Sequence, residues 1–182
     1  MGIEIRSATA QEMGQLGLMG AYSYGGAFGD GSDNLVATGT RPEWTLCAFD
    51  TERRQADGQP TMVTSYSAFP FTTRVNGRAV ALAGISTVGT RPEYRRQGLV
   101  RKIITQAFSA QYGRGQCLAG LWASQAAIYQ RYGFAASGGL REYEVDTADI
   151  HLHANFAARP VLRFDGVEVL DALRDVYKRF IA

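Results

Sequence analysis

The chain of 182 residues has little of what several chemistries require. Its two cysteines, Cys47 and Cys117, stand far apart without CxxC spacing, which excludes a disulfide framework and a thiolate zinc site and leaves both expected as small buried hydrophobes. Its two histidines, His151 and His153, form an HxH pair without further ligands, so they read as surface residues and no metal is expected. No stretch approaches the roughly 20 consecutive apolar residues of a membrane span. The opening "MGIEIRSATAQEM" lacks a charged segment followed by an apolar one, so no secretory signal is expected and the cytoplasm is the expected location. Charge of one sign is also missing. The 19 Lys and Arg against 17 Asp and Glu leave a net +2, too little for a nucleic-acid footprint. Neither nucleic acid nor membrane is therefore an expected partner. GxxxxGK followed by Ser or Thr does not occur, nor does GxGxxG after a strand, which removes a P-loop and disfavours a dinucleotide fold.

What is present is globular: 46% hydrophobic and 20% charged residues, enough for one domain of ordinary size with a core. Ile3 and Ile5 alternate with polar residues as a strand, and Met13, Leu16, Met19 and Ala21 recur as a helix face with Thr9 and Glu12 as a capping box. The Gly-, Ser- and Asp-rich "SYGGAFGDGSDN" is a loop, either a substrate lid or an exposed connection. "WTLCAFD" and "TMVTSYSAFPF" read as an antiparallel hairpin across the polar "TERRQADGQP", where Arg53 and Arg54 are solvated charges. "NGR" makes a second turn before "AVALAGISTV", a central strand expected to be buried on both faces. Apolar residues at Leu99, Val100, Ile103, Ile104, Ala107 and Phe108 then give a helix that ends near Gly113. "CLAGLWA" is a short buried strand, "QAAIYQRYGF" a short helix closed by Gly133, and "REYEVDT" a final alternating strand. Trp44 and Trp122 read as core. The order predicts a mixed α/β (α+β) domain.

One stretch carries chemistry. In "RPEYRRQGLVRKI", residues 91–103, a strand ends in a turn rich in Arg and Gly that feeds directly into a helix. The first helical turn leaves N–H groups free and its dipole favours negative charge, Gly98 permits close backbone approach, and Arg95, Arg96 and Arg101 can pair with phosphate. With the nucleotide-binding signatures absent, the pyrophosphate of coenzyme A is the remaining candidate anion.

"RRQGLV" resembles the pyrophosphate-binding signature of the GCN5-related N-acetyltransferases (GNAT), which reads Gln or Arg, two variable residues, Gly, one variable residue, then Gly or Ala. Val100 departs at the last position. The enhanced intracellular survival (Eis) branch also tends to place a larger aliphatic there, and similarly has a TVGT-like strand end before an arginine-rich turn. That branch has a later segment resembling "WASQAAIYQRYGF" at nearly the same spacing, although Gln125, Ala126 and Ala127 stand where Glu-Gly-Gly is usual.

The resemblance spans residues 3 to about 149 and implies a GNAT fold, a mixed and mostly antiparallel central sheet flanked by helices. It implies acetyl-CoA as cosubstrate: Val88, Gly89 and Thr90 against its acyl and pantetheine portion, Arg96, Gln97, Gly98, Leu99, Val100 and Arg101 around the pyrophosphate, and Ser124 and Gln125 farther along. Tyr129 matches the family's general acid; on pattern alone it reads equally as a packing aromatic. Acetyl transfer to an amine needs a polarised thioester carbonyl, which a backbone N–H at the strand end could supply, and a proton for a thiolate whose acid titrates near about 8.5. A tyrosine, with an ordinary pKa of about 10, carries that proton at neutral pH.

Residues 150–182 read as a strand at 161–164 and a helix begun by Asp165 and Glu168, with an apolar stripe at Val169, Leu170, Leu173, Val176, Tyr177 and Phe180. By the resemblance this extension is the start of a second GNAT-like domain; the stripe also points to a homo-oligomer. The family's general base is the carboxylate of a terminal residue that Ala182 does not match, so no base is assigned. Three functions are expected in competition: an N-acetyltransferase acting on a multiamine small molecule (aminoglycoside-like) or a protein lysine, a truncated acyl-CoA-binding or assembly module with little catalysis, and a stand-alone acetyltransferase for a peptide or small metabolite amine.

Overall fold

A computed structural model describes residues 2–24, 39–139, 141–151, 160, 163 and 165–181. The candidate lid from Gly25 onward, the expected tail strand save Arg163, His153 and Ala182 lie outside the described residues. The chain divides into two compact units, Met1–Ser137 and Gly138–Ala182.

The first unit is built on a five-stranded sheet in the order β1-β2-β3-β4-β5, with β1 at Ile3–Arg6, β2 at Cys47–Arg54, β3 at Pro60–Val75, β4 at Arg78–Thr90 and β5 at Leu118–Leu121. The first three pairings are antiparallel and β4 with β5 is parallel. Helix α1 (Met13–Tyr24) follows β1, and α2 (Leu99–Gly113) makes the crossover that a parallel pair requires. The sheet is thus mixed and mostly antiparallel with flanking helices.

Local chemistry accounts for the main turns. Asn76 and Gly77 carry φ of +50° and +78° between the paired residues Val75 and Arg78, the two-residue hairpin geometry that this dipeptide favours. The Glu12 carboxylate accepts the Thr9 N–H at 2.8 Å, so the capping box closes on a single 3-10 turn, Ala10–Glu12, from which α1 continues.

Alternation along the strands sorts side chains between the two helices. Ala48, Val63, Tyr66, Ala68, Ala83 and Ile85 pack with Leu99, Ile103, Ile104 and Ala107 of α2, whereas Cys47, Phe49 and Met62 turn the other way and meet Leu16 and Met19 of α1. Each such fully buried aliphatic side chain stabilises the unit by roughly 1.5–3 kcal/mol.

Several expectations change. β4 is buried at Ala83, Ile85, Thr87 and Gly89 and only half-buried at the residues between, with Ala83 and Ile85 packed toward α2 and Gly89 against α1. β2 runs on through Arg54, and Arg53 is ion-paired to Glu93 at 3.1 Å rather than merely solvated. "QAAIYQRYGF" folds as two 3-10 turns, Ala126–Ile128 and Gln130–Tyr132, ended by Gly133 at φ +89°. "REYEVDT" forms no strand among the described residues and is exposed, so its alternation has no sheet to sort against. Cys117 and Trp122 are exposed, since β5 is a four-residue edge strand and both lie beyond its ends.

The second unit holds α3 (Val169–Ile181), preceded by a 3-10 turn at Gly166–Glu168. Its stripe at Leu170, Leu173, Val176, Tyr177 and Phe180 is exposed.

Candidate active site

Two departures from regular sheet geometry open the end of β4. Ser65 pairs with Gly89 and Ser67 with Ser86, so β4 carries one more residue than β3 over this span, and Thr87 takes φ +53° to accommodate it. The extra residue is held by hydroxyls: Ser65 Oγ donates to the Thr87 carbonyl at 2.6 Å, and Ser67 Oγ to that of Ser86 at 3.2 Å. On the opposite edge, β5 pairs only with Leu82–Ile85. From Ser86 to Thr90 that edge of β4 has no partner among the described strands, and β4 and β5 form a fork.

Below the fork, Gly98 caps α2 at φ +74°, a conformation that side chains disfavour, and Arg96 two residues earlier takes φ +64°. The first bond of the helix runs from Lys102 N–H to the Gly98 carbonyl at 3.1 Å, which leaves the N–H groups of Leu99, Val100 and Arg101 without helical acceptors. They open on a cavity of about 1100 Å³ lined by Arg95, Arg96, Arg101 and Arg131 and, among the described residues, by no carboxylate. Free helical N–H groups beside guanidinium groups are chemistry that suits an anion.

A buried clamp holds this turn to the sheet. Tyr94 Oη donates to Asp50 Oδ2 at 2.7 Å, and the same carboxylate accepts the Glu52 N–H at 3.0 Å. The Tyr94 hydroxyl holds the Asp50 carboxyl below its ordinary value against the opposing effect of burial, and Asp50 in turn pushes the Tyr94 phenol up. The Arg53 pair draws Glu93 toward β2.

The structure therefore brings Thr90, Arg96, Gln97, Gly98, Leu99, Val100 and Arg101 around one cavity. Val88 and Gly89 lie along the open edge of β4, outside that lining. Gly89 has a packing reason of its own, because a Cβ there would collide with Ser23 Oγ and press on the Met19 carbonyl of α1. Ser124 and Gln125 are exposed at a bend and do not line the cavity. Tyr129 is half-buried between the two 3-10 turns, its ring edge-on to Phe134 at 5.8 Å. Sequence reasoning missed Arg131, Tyr132, Thr105 and Ser109 in the lining. Arg101, Thr105 and Ser109 recur every fourth residue, a helical spacing overlooked because only the apolar face was followed.

Fold and site define the class: an α/β domain with a splayed central strand and a cationic helix start. Residues 4–137 match the acetyltransferase (GNAT) domain, and the chain belongs to that family. An uncharacterized N-acetyltransferase of Streptomyces griseus is 30% identical over 177 residues, covering 94% of this chain and 40% of that protein. The N-acetyltransferase Eis of Mycobacterium tuberculosis is 34% identical over 73 residues, covering 40% of this chain and 18% of Eis. Eis1 from Mycobacterium abscessus has a similar fold, with a TM-score of 0.59 and 21% identity over 72% of this chain and 31% of that one. The chain thus spans less than half the length of these relatives, to which it is related through a GNAT domain of the Eis kind. Among the described residues no helix is long and apolar enough to cross a membrane.

Proposed function

We propose that this chain is an acetyl-CoA-dependent N-acetyltransferase domain acting on a primary amine, in the cytoplasm and without a metal. The observation that carries the reading is the cavity at the start of α2, with four arginines, three N–H groups without helical acceptors and, among the described residues, no carboxylate. Arg96, Gln97, Gly98 and Arg101 hold the pyrophosphate, with Leu99 and Val100 contributing N–H groups. Val88, Gly89 and Thr90 present the open edge of β4 to the pantetheine and the thioester carbonyl, and Ser124 and Gln125 lie farther along. Acetyl-CoA supplies the activated acetyl group. The acceptor nitrogen forms its bond to the acyl carbon as the C–S bond breaks, the amine loses a proton, and Tyr129 gives one to the departing thiolate.

An aminoglycoside-like multiamine or a protein lysine is the acceptor class that the family resemblance implies. The GNAT domain is taken as residues 1–149, with 150–182 as the start of a second GNAT-like domain whose exposed α3 stripe serves association, with a further domain or as a homo-oligomer.

Calorimetric titration of the purified chain with acetyl-CoA, followed by thiol release on adding an aminoglycoside or a lysine peptide, tests the reading. Micromolar binding with thiol release is expected, and Tyr129→Phe should lower turnover at least tenfold with acetyl-CoA affinity unchanged. Binding without release from any amine would leave an acyl-CoA-binding module, and absence of binding would overturn the reading.

A further inference from the structure

The face of the sheet opposite α2 carries a second cavity, of about 390 Å³, at the crotch of the same fork. Its floor is unusual. Gly84 of β4 and Gly120 of β5 are register partners, so the sheet presents two adjacent positions without side chains. The walls are aromatic: Phe69 and Phe71 stack on one side, 5.8 Å apart and 11° from parallel, and Trp122 stands on the other. The floor positions the wall, because a Cβ at Gly84 would collide with the Phe71 ring. Trp44 braces Phe69 edge-on at 5.8 Å. Phe71 is 54% and Trp122 79% exposed, a large apolar area to leave in water. Leu82, Ile85, Ser86 and Leu121 complete the cavity, and among the described residues no charged side chain lines it.

Leu82, Gly84 and Ser86 alternate with Ala83 and Ile85, which face α2. The slot and the arginine-lined cavity therefore lie on opposite faces of one sheet, meeting where β4 parts from β5. An acetyl group bound through the arginine side would reach the fork from one face, and an acceptor seated in the slot from the other.

We infer that the slot is the acceptor subsite and that it takes primary amines carried on a flat apolar body, arylalkylamines in chemical terms, in preference to polycations. The inference rests on the acetyltransferase reading above and narrows its acceptor. A flat ring fits between Phe71 and Trp122 over a floor of two glycines, where stacking and apolar burial are gained together. A multiamine would lose the hydration of several ammonium groups and find no carboxylate among the described lining residues to replace it.

The test uses the full chain and phenethylamine, with butylamine and spermidine as comparators. Of the chain's two tryptophans, Trp122 lines the slot and Trp44 packs on its Phe69 wall, so tryptophan fluorescence reports its occupancy without reference to catalysis. Phenethylamine is expected to bind at least tenfold more tightly than either comparator, and to show at least a tenfold higher kcat/KM for acetylation. Gly120→Val places a side chain in the floor; a Cβ there meets only Leu82, at 3.6 Å, so the fold should hold. It should abolish the preference for phenethylamine while leaving acetyl-CoA affinity unchanged. Trp122→Ala, at an exposed position, should weaken the preference in the same sense and serves if the valine variant fails to fold. Equal binding of the three amines, or a preference for spermidine, overturns the proposal even where acetyl-CoA binds and thiol is released. Selective phenethylamine binding in a chain that does not bind acetyl-CoA would support the slot and sink the acetyltransferase reading.

Discussion

Glu12 is a carboxylate with only 1% of its surface exposed, and its environment makes that tolerable. Both its oxygens accept from Arg6, at 2.7 Å each, and one also accepts the Thr9 N–H. Arg6 in turn lies over the Phe49 ring at 4.1 Å. The Arg6 guanidinium holds the Glu12 carboxyl down at about 2, against an ordinary value of 4.5. With the folded pKa below the unfolded one, the stabilisation is complete above the ordinary value and is lost as pH falls from 4.5 through about 2. Glu12→Gln should therefore destabilise the chain by about 2–3 kcal/mol at neutral pH, with the gap to the native chain closing below about pH 4. Urea unfolding across that range measures it; a gap that stays constant with pH would show that the charge is not what Glu12 contributes. The sequence disclosed Glu12 as a capping residue because Thr9 is three residues away. It did not disclose the Arg6 pair, since Arg6 showed only as a polar residue alternating on a strand.

Between elements, the clamp from β2 to the turn before α2 carries the functional load. Tyr94 is 6% exposed, and its hydroxyl meets Asp50 across 44 residues of sequence. Tyr94→Phe keeps the ring in the core and removes the buried hydroxyl bond to Asp50, leaving the Arg53–Glu93 pair and the Arg91 bonds to Met62 and Val63 to hold the arginine turn to the sheet. Stability should fall by about 1–2 kcal/mol and the acetyl-CoA dissociation constant should rise several-fold, with kcat at saturation little changed. Titration calorimetry beside steady-state kinetics checks this; an unchanged dissociation constant would mean that the turn holds its shape without the clamp. The strands, the hairpin at Asn76–Gly77 and the helix start at Gly98 were legible because each rests on nearby residues with a specific backbone need. The Asp50–Tyr94 bond, the fork and the glycine pair were not, because each arises from registers between distant segments.

At the scale of the whole chain, its parts differ in how local their contacts are. β3 and β4 are joined by a two-residue turn and pair along most of their length, whereas β5 reaches β4 only after the whole of α2 has been laid down. Closing a short turn is fast and a long crossover slow, so the hairpin should form first and β5 last. Gly77→Ala, forced to φ +78°, should mainly slow refolding, while Leu121→Ala in β5 should mainly speed unfolding. Stopped-flow chevrons distinguish the two, and a reversal of the pattern would put the crossover in the nucleus instead. The alternation of "REYEVDT", expected as a final strand, carried no information about whether a neighbour was there to receive it.

The fork lies at the seam between these early and late parts. A ligand that bridges β4 and the start of α2 would tie the crossover to the early hairpin, so it should act as a brake on unfolding more than as an aid to folding. The bound chain would be long-lived by kinetics, its lifetime set by how rarely the crossover lets go.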